Sequence, residues 1–139
     1  MPNHLHLLLH YLQGNSSLNT VIGNGKRFMA YDLIDALERL HEDFLLSRLQ
    51  LAVRPKDRKK GKRHEVWKGS FDVKECWTEK FVLQKLNYMH NNPCSGKWKL
   101  AESPIEYLHS SALFYSTGKQ RLYPVKDYRE FIKVDWWNE

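Results

Sequence analysis

At 139 residues, with 13% aromatic side chains and five Trp, the chain is long enough for one core and too aromatic for a disordered polymer. The formal charge of +6 is unevenly placed: Arg54, Lys56, Arg58, Lys59, Lys60, Lys62 and Arg63 set seven cations against Asp57 alone, and the remainder is balanced. Two cysteines, Cys76 and Cys94, lack metal-type spacing, and the apolar run from Leu5 to Leu12 is too short for a membrane span and has no cationic lead, so a reducing cytoplasm without a membrane partner is expected.

In chain order, residues 3–12 read as a strand, because Leu5, Leu7 and Leu9 alternate with His4, His6, Leu8 and His10. Gly14-Asn15-Ser16 is a turn, and Ser16 or Ser17 caps a following helix. Leu18, Ile22, Met29, Leu33, Ala36 and Leu40 recur at helical steps and predict one inward stripe, weakened early by Gly23 and Gly25. A further helix runs through Phe44, Leu45 and Leu49 and closes at Pro55. The basic loop 54–64 then leads into a short strand over 65–72, anchored by Val66 or Trp67 and by Phe71. Thr78 caps a second clear helix, with Trp77 and Val82 spaced as a hydrophobic staple and Val82, Leu86 and Met89 facing inward. Pro93 disfavours helical geometry at Asn92, so this helix should end near Asn91. Residues 95–139 read as a C-terminal wrap over the core, with a short helix near 126–132. The whole of 1–139 is expected to form one domain.

Two spacings carry chemistry. Residues two apart on a strand share a face about 6.6 Å apart at the backbone, so His4 and His6 can converge on one ion. His10 shares that face but lies about 13 Å from His6 along a strand, too far to join it. His41, His64 and His109 have no spacing partner and read as ordinary surface or boundary residues. Tyr88 and Asn92 are four apart, hence neighbours on a helix surface. Either pair alone has an ordinary explanation: alternating polar residues are common on half-exposed strands, and most helical tyrosines simply reach water. A phenol of pKa about 10 is a weak nucleophile at neutral pH unless something assists it. An ion held by His4, His6 and Asn92 could give that help by polarising a phosphate. Two imidazoles also suit zinc or nickel.

Met-Pro-Asn-His-Leu-His-Leu-Leu-Leu at 1–9 resembles the metal-binding strand of the single-tyrosine HUH transposases, and more narrowly of the REP-associated tyrosine transposases and their insertion-sequence relatives. Tyr88-Met-His-Asn-Asn-Pro, followed by Ser95-Gly-Lys-Trp98, resembles their nucleophile helix and its exit. Trp67-Lys-Gly-Ser-Phe71 resembles the strand before that helix, and Glu106-Tyr with Ser110-Ser-Ala resembles the segment after it, although His109 stands where a Trp is usual. The resemblance implies an α+β, ferredoxin-like transposase fold, an antiparallel sheet with packed helices. It implies Tyr88 as nucleophile, His4, His6 and Asn92 as ligands of Mg2+ or Mn2+, and single-stranded or hairpin DNA as substrate. Lys85 and the basic residues Arg54, Lys56, Arg58, Lys59, Lys60, Lys62 and Arg63 would hold that DNA. Family members carry a strand, a helix and a strand before the Met-Pro-Asn turn, whereas this chain begins at it; an N-terminally truncated form with an exposed edge, pairing as a homodimer, is therefore expected. The alternatives are a catalytically inactive nucleic-acid-binding relative and, further off, a metal-dependent hydrolase of small phosphate esters.

Overall fold

The computed structural model describes residues 3–12, 16–69 and 71–131. Contacts divide them into two compact units, one of 11–73 and one of 3–10 with 74–131.

The first unit holds three helices: α1 (Leu18–Arg39), α2 (Asp43–Leu51) and α3 (Pro55–Arg58). Ser17 caps α1, its hydroxyl accepting from the Thr20 amide at 3.2 Å. The inward face of α1 differs from the expected stripe. Leu37 is the buried residue, flanked by half-buried Ile22, Lys26, Ala30 and Ile34, whereas Met29, Leu33 and Leu40 are exposed. Trp67 explains the rotation. Its indole N–H donates to the Lys26 carbonyl at 2.7 Å, and the Lys26 ammonium donates to the Lys68 carbonyl at 2.8 Å, so residues 67–68 lie along that side of the helix. At the far end of α1 the His41 amide bonds the Glu38 carbonyl and the Glu42 amide bonds the Leu37 carbonyl, a Schellman closure. It places His41 at φ 55°, in the left-handed region that favours glycine. The chain then reverses, and α2 packs against α1. Pro55 opens α3 at its first turn, so part of the expected basic loop is helical.

The second unit is organised by α4 (Glu79–Asn91), with α5 (Ala112–Thr117) beside it. Thr78 caps α4 by accepting from the Phe81 amide at 3.3 Å. Val82 and Leu86, one turn apart, are buried, and Ala112 of α5 is buried in the same unit. Trp77 is 69% exposed, so the outer half of the expected staple stays in solvent. Asn92 does not leave helical geometry, as Pro93 was expected to make it do; its φ and ψ of −55° and −44° lead directly into a 3-10 turn over Asn92–Cys94. Pro93 fits at the start of that turn because its missing N–H is not needed there. The short helix expected near 126–132 is a 3-10 turn at Tyr128–Glu130, closed by a capping box between Asp127 and Glu130. Helix α5 had no counterpart in the sequence reading.

The expected ferredoxin-like antiparallel sheet is not present: among the described residues there is no strand, and regular structure is helical. Alternation marks a half-exposed segment, but a strand also needs a partner backbone to complete its ladder. Residues 3–10 take part in no backbone–backbone hydrogen bond among the described residues, and Leu5, Leu7 and Leu9 are each about half exposed. The 65–72 segment is held instead by side-chain bonds to α1 and by the Glu65 amide on the Leu49 carbonyl at 2.9 Å. Among the described residues no helix is long and apolar enough to cross a membrane.

Candidate active site

The exposed face of α4 begins the site. At 100° per residue, Tyr88 falls near the side opposite the buried Val82 and Leu86, while Lys85 and Asn92, both half-buried, sit on its flank. Burial of one stripe therefore directs the other outward. Tyr88 is 59% exposed. Lys85 turns its ammonium over the Phe81 ring at 4.7 Å. His90, which the sequence reading did not single out, points to the other side, where its Nε2 meets the Ser111 hydroxyl at 2.9 Å and its ring lies 5.7 Å from that of Tyr115. Burial lowers its pKa from the ordinary histidine value, so it is a neutral brace between α4 and the start of α5.

Residues 3–6 supply the other half. The His4 and His6 rings are 4.9 Å apart, centre to centre, and the His6 ring stands edge-on to that of Tyr88 at 5.5 Å. The Asn92 side-chain nitrogen lies 2.9 Å from His6 Nε2 and 3.5 Å from His4 Nε2. Four residues that the sequence named as ligands and nucleophile, from positions more than eighty apart, are thus brought together within one unit. Met1 and Pro2 of the motif, Gly14 and Asn15 of the expected turn, Ser70 of the 65–72 segment and residue 132 of the expected last helix lie outside the described residues.

The histidine nitrogens are suited to a cation. His4 Nδ1 lies 2.8 Å from the Asn3 amide oxygen, an acceptor, so that nitrogen carries the proton and leaves the Nε2 lone pair facing Asn92. Asn3, which orients the His4 ring, was passed over by the sequence reading, although its place next to His4 was a local signal. His6 Nε2 faces the Asn92 N–H and accepts from it, so its lone pair points the same way. Although His6 is exposed overall, its pKa is lowered, first by partial desolvation of the ring and then by the neighbouring His4, which favours the unprotonated ring at neutral pH. Turning the Asn92 amide by half a rotation exchanges its nitrogen for its oxygen at the same place, giving a set of two nitrogens and one oxygen. Among the described residues no three His, Cys, Asp or Glu side chains form a metal-holding group, and the donor that stands beside the two imidazoles is the Asn92 amide.

The seven basic residues belong to the other unit. Arg54 pairs with Asp57 at 2.9 Å, Lys62 pairs with Glu65 at 2.6 Å, and Arg58 donates to the Gln50 carbonyl at 3.0 Å. Lys56, Lys59, Lys60 and Arg63 are exposed, and among the described residues no ion pair engages them. Arg58 and Lys59 also border a shallow depression floored by Leu51, Val53 and Pro55. His10 is apart from the site and stacks on Phe131 at 4.9 Å.

No protein-family model matches the chain, and no curated protein or solved structure does either.

Proposed function

We propose that the protein is a single-tyrosine DNA strand transferase, acting on single-stranded or hairpin DNA through Tyr88. The observation that carries this reading is the convergence of His4, His6 and Asn92 beside the Tyr88 ring. The resemblance of the two motifs to the transposases supports it, and the four side chains meet although no strand forms among the described residues. A divalent ion, Mg2+ or Mn2+, would be held by His4, His6 and Asn92 and would supply a Lewis acid that polarises the scissile phosphate.

The chain's own residues do the rest. Exposure of Tyr88 leaves its phenol open to a polymeric substrate. Its oxygen bonds to phosphorus as the bond to the 3′-oxygen breaks, and the phenol proton ends on the departing 3′-oxygen. The products are a 5′-phosphotyrosine and a free 3′-hydroxyl. Attack on that link by the 3′-hydroxyl of a second strand restores the phenol, so the number of phosphoester bonds is unchanged and no external energy source is consumed. Lys85 and the cations of 54–63 neutralise backbone phosphates. A second copy of the chain is expected to cover the half-exposed Leu5, Leu7 and Leu9.

The test is incubation with labelled DNA hairpins and Mn2+, followed by denaturing electrophoresis. A labelled protein band that survives denaturation and is absent for Tyr88→Phe is expected; no such band from the wild type across a broad hairpin library refutes the reading. A second reading, a non-catalytic nucleic-acid-binding module, is favoured by the exposed cations of 54–63. It requires salt-sensitive DNA binding that neutralising those residues weakens, with no adduct.

A further inference from the structure

A group of aromatic rings in the unit that carries Tyr88 is not used by the reaction above. The His109 ring lies between those of Tyr107 at 6.0 Å and Tyr123 at 6.3 Å. In a small core such rings would be covered, yet His109 is exposed and Tyr123 is 61% exposed. The loop that presents Tyr123 is nevertheless tightly built. Gln120 clamps it from both sides: its amide nitrogen donates to the Val125 carbonyl at 2.8 Å, and its amide oxygen accepts from the Val125 N–H at 2.8 Å. Arg121 donates to the Glu106 carbonyl at 3.2 Å and so ties the loop to the segment bearing Tyr107. Gly118, at φ 74°, turns the chain out of α5 into this loop, and Pro124 fixes φ immediately after Tyr123.

An exposed tyrosine on a loop held this firmly has its ordering cost met before any ligand arrives. Its ring offers a flat face to a flat partner. Lys119 and Arg121 precede it in the same loop, and the Glu106 carboxylate accepts from the Ser103 amide at 3.1 Å. Flat aromatic faces with adjacent cations are the features that bind unpaired bases on a phosphate backbone. We infer that the exposed Tyr123 ring, set beside the inclined rings of His109 and Tyr107 (39° and 64° between successive planes), is the shelf on which an unpaired base of single-stranded DNA stacks, positioning the strand in the unit that carries Tyr88. The inference rests on the proposed function for its ligand class.

The test uses the full chain and a fluorescein-labelled oligothymidylate, read by anisotropy at fixed salt, with a second oligonucleotide carrying 2-aminopurine to report stacking. Tyr123→Ala should weaken binding roughly tenfold and abolish 2-aminopurine quenching, whereas Tyr123→Phe, which keeps the ring, should bind within about twofold of wild type. Circular dichroism checks that the variants fold. Equal affinity of wild type and Tyr123→Ala overturns the shelf, as does equal loss in Tyr123→Ala and Tyr123→Phe, or no binding of the oligonucleotide by wild type. The adduct assay separates the two proposals. An adduct at Tyr88 with no effect of Tyr123→Ala sinks the shelf alone, and loss of binding in Tyr123→Ala without any adduct sinks strand transfer alone.

Discussion

Replacing His6 by alanine probes the candidate metal centre with little risk to the fold. His6 is exposed and its hydrogen bond is to Asn92, so the cost to stability in metal-free buffer should stay within about 0.5 kcal/mol. The cost to metal binding should be far larger. Of two imidazoles and one amide, the substitution removes the imidazole closest to Asn92 and leaves His4, whose Nε2 is 3.5 Å from that amide. Loss of a residue that merely orients a ligand lowers metal affinity roughly 10- to 100-fold, so loss of a ligand itself should cost at least about 100-fold. The assay is thermal unfolding with and without Mn2+. At a concentration of about 100 times the wild-type Kd, the ion should stabilise wild type by about 2.7 kcal/mol. A 100-fold weaker variant at the same concentration gains only about 0.4 kcal/mol. His10→Ala is the control, since His10 stacks on Phe131 away from the site, and it should respond like wild type. Equal metal-dependent stabilisation of wild type and His6→Ala refutes the assignment.

Three further predictions concern the scaffold. Leu86→Ala should destabilise by about 2–5 kcal/mol in denaturant unfolding, because Leu86 is 5% exposed and, with Val82, makes the buried stripe of α4; a loss under about 1 kcal/mol contradicts that role. His41→Gly should stabilise by about 0.5–1 kcal/mol by relieving a left-handed residue in the Schellman closure, and His41→Ala should not; destabilisation by the glycine counts against this account of the turn. Hydrogen bonding to the Arg129 guanidinium holds the Asp127 carboxyl below its ordinary value of 3.8. A depressed carboxylate contributes stability that is present above the ordinary value and lost as pH falls through the folded one. Wild type should therefore melt higher than Asp127→Asn at pH 6, with the difference vanishing in strong acid; a difference that is constant or grows on acidification refutes this.

What was legible in the sequence divides by range. Ser17 and Thr78 cap their helices as read, and α4 ends at Asn91, because capping depends on a few adjacent residues. The inward face of α1 was misread because Trp67 and Lys68, far along the chain, decide which stripe is covered. The sheet was misread for a similar reason: alternation in residues 3–12 is local, whereas the partner that makes a strand is not. In the candidate site, the His4–His6 and Tyr88–Asn92 spacings were local facts. That the two pairs meet came from resemblance to known motifs, since no periodicity links positions so far apart. Asn3 and His90 act through hydrogen bonds to His4 and Ser111, which spacing alone does not reveal.

The most direct measurement is peptide mapping by mass spectrometry after reaction with hairpin DNA and Mn2+. The account predicts a nucleotide-modified tyrosine in the peptide spanning Tyr88, lost on chelation of the ion and in Asn92→Ala. Modification at a different residue, or an adduct that forms equally well in the presence of chelator, contradicts it.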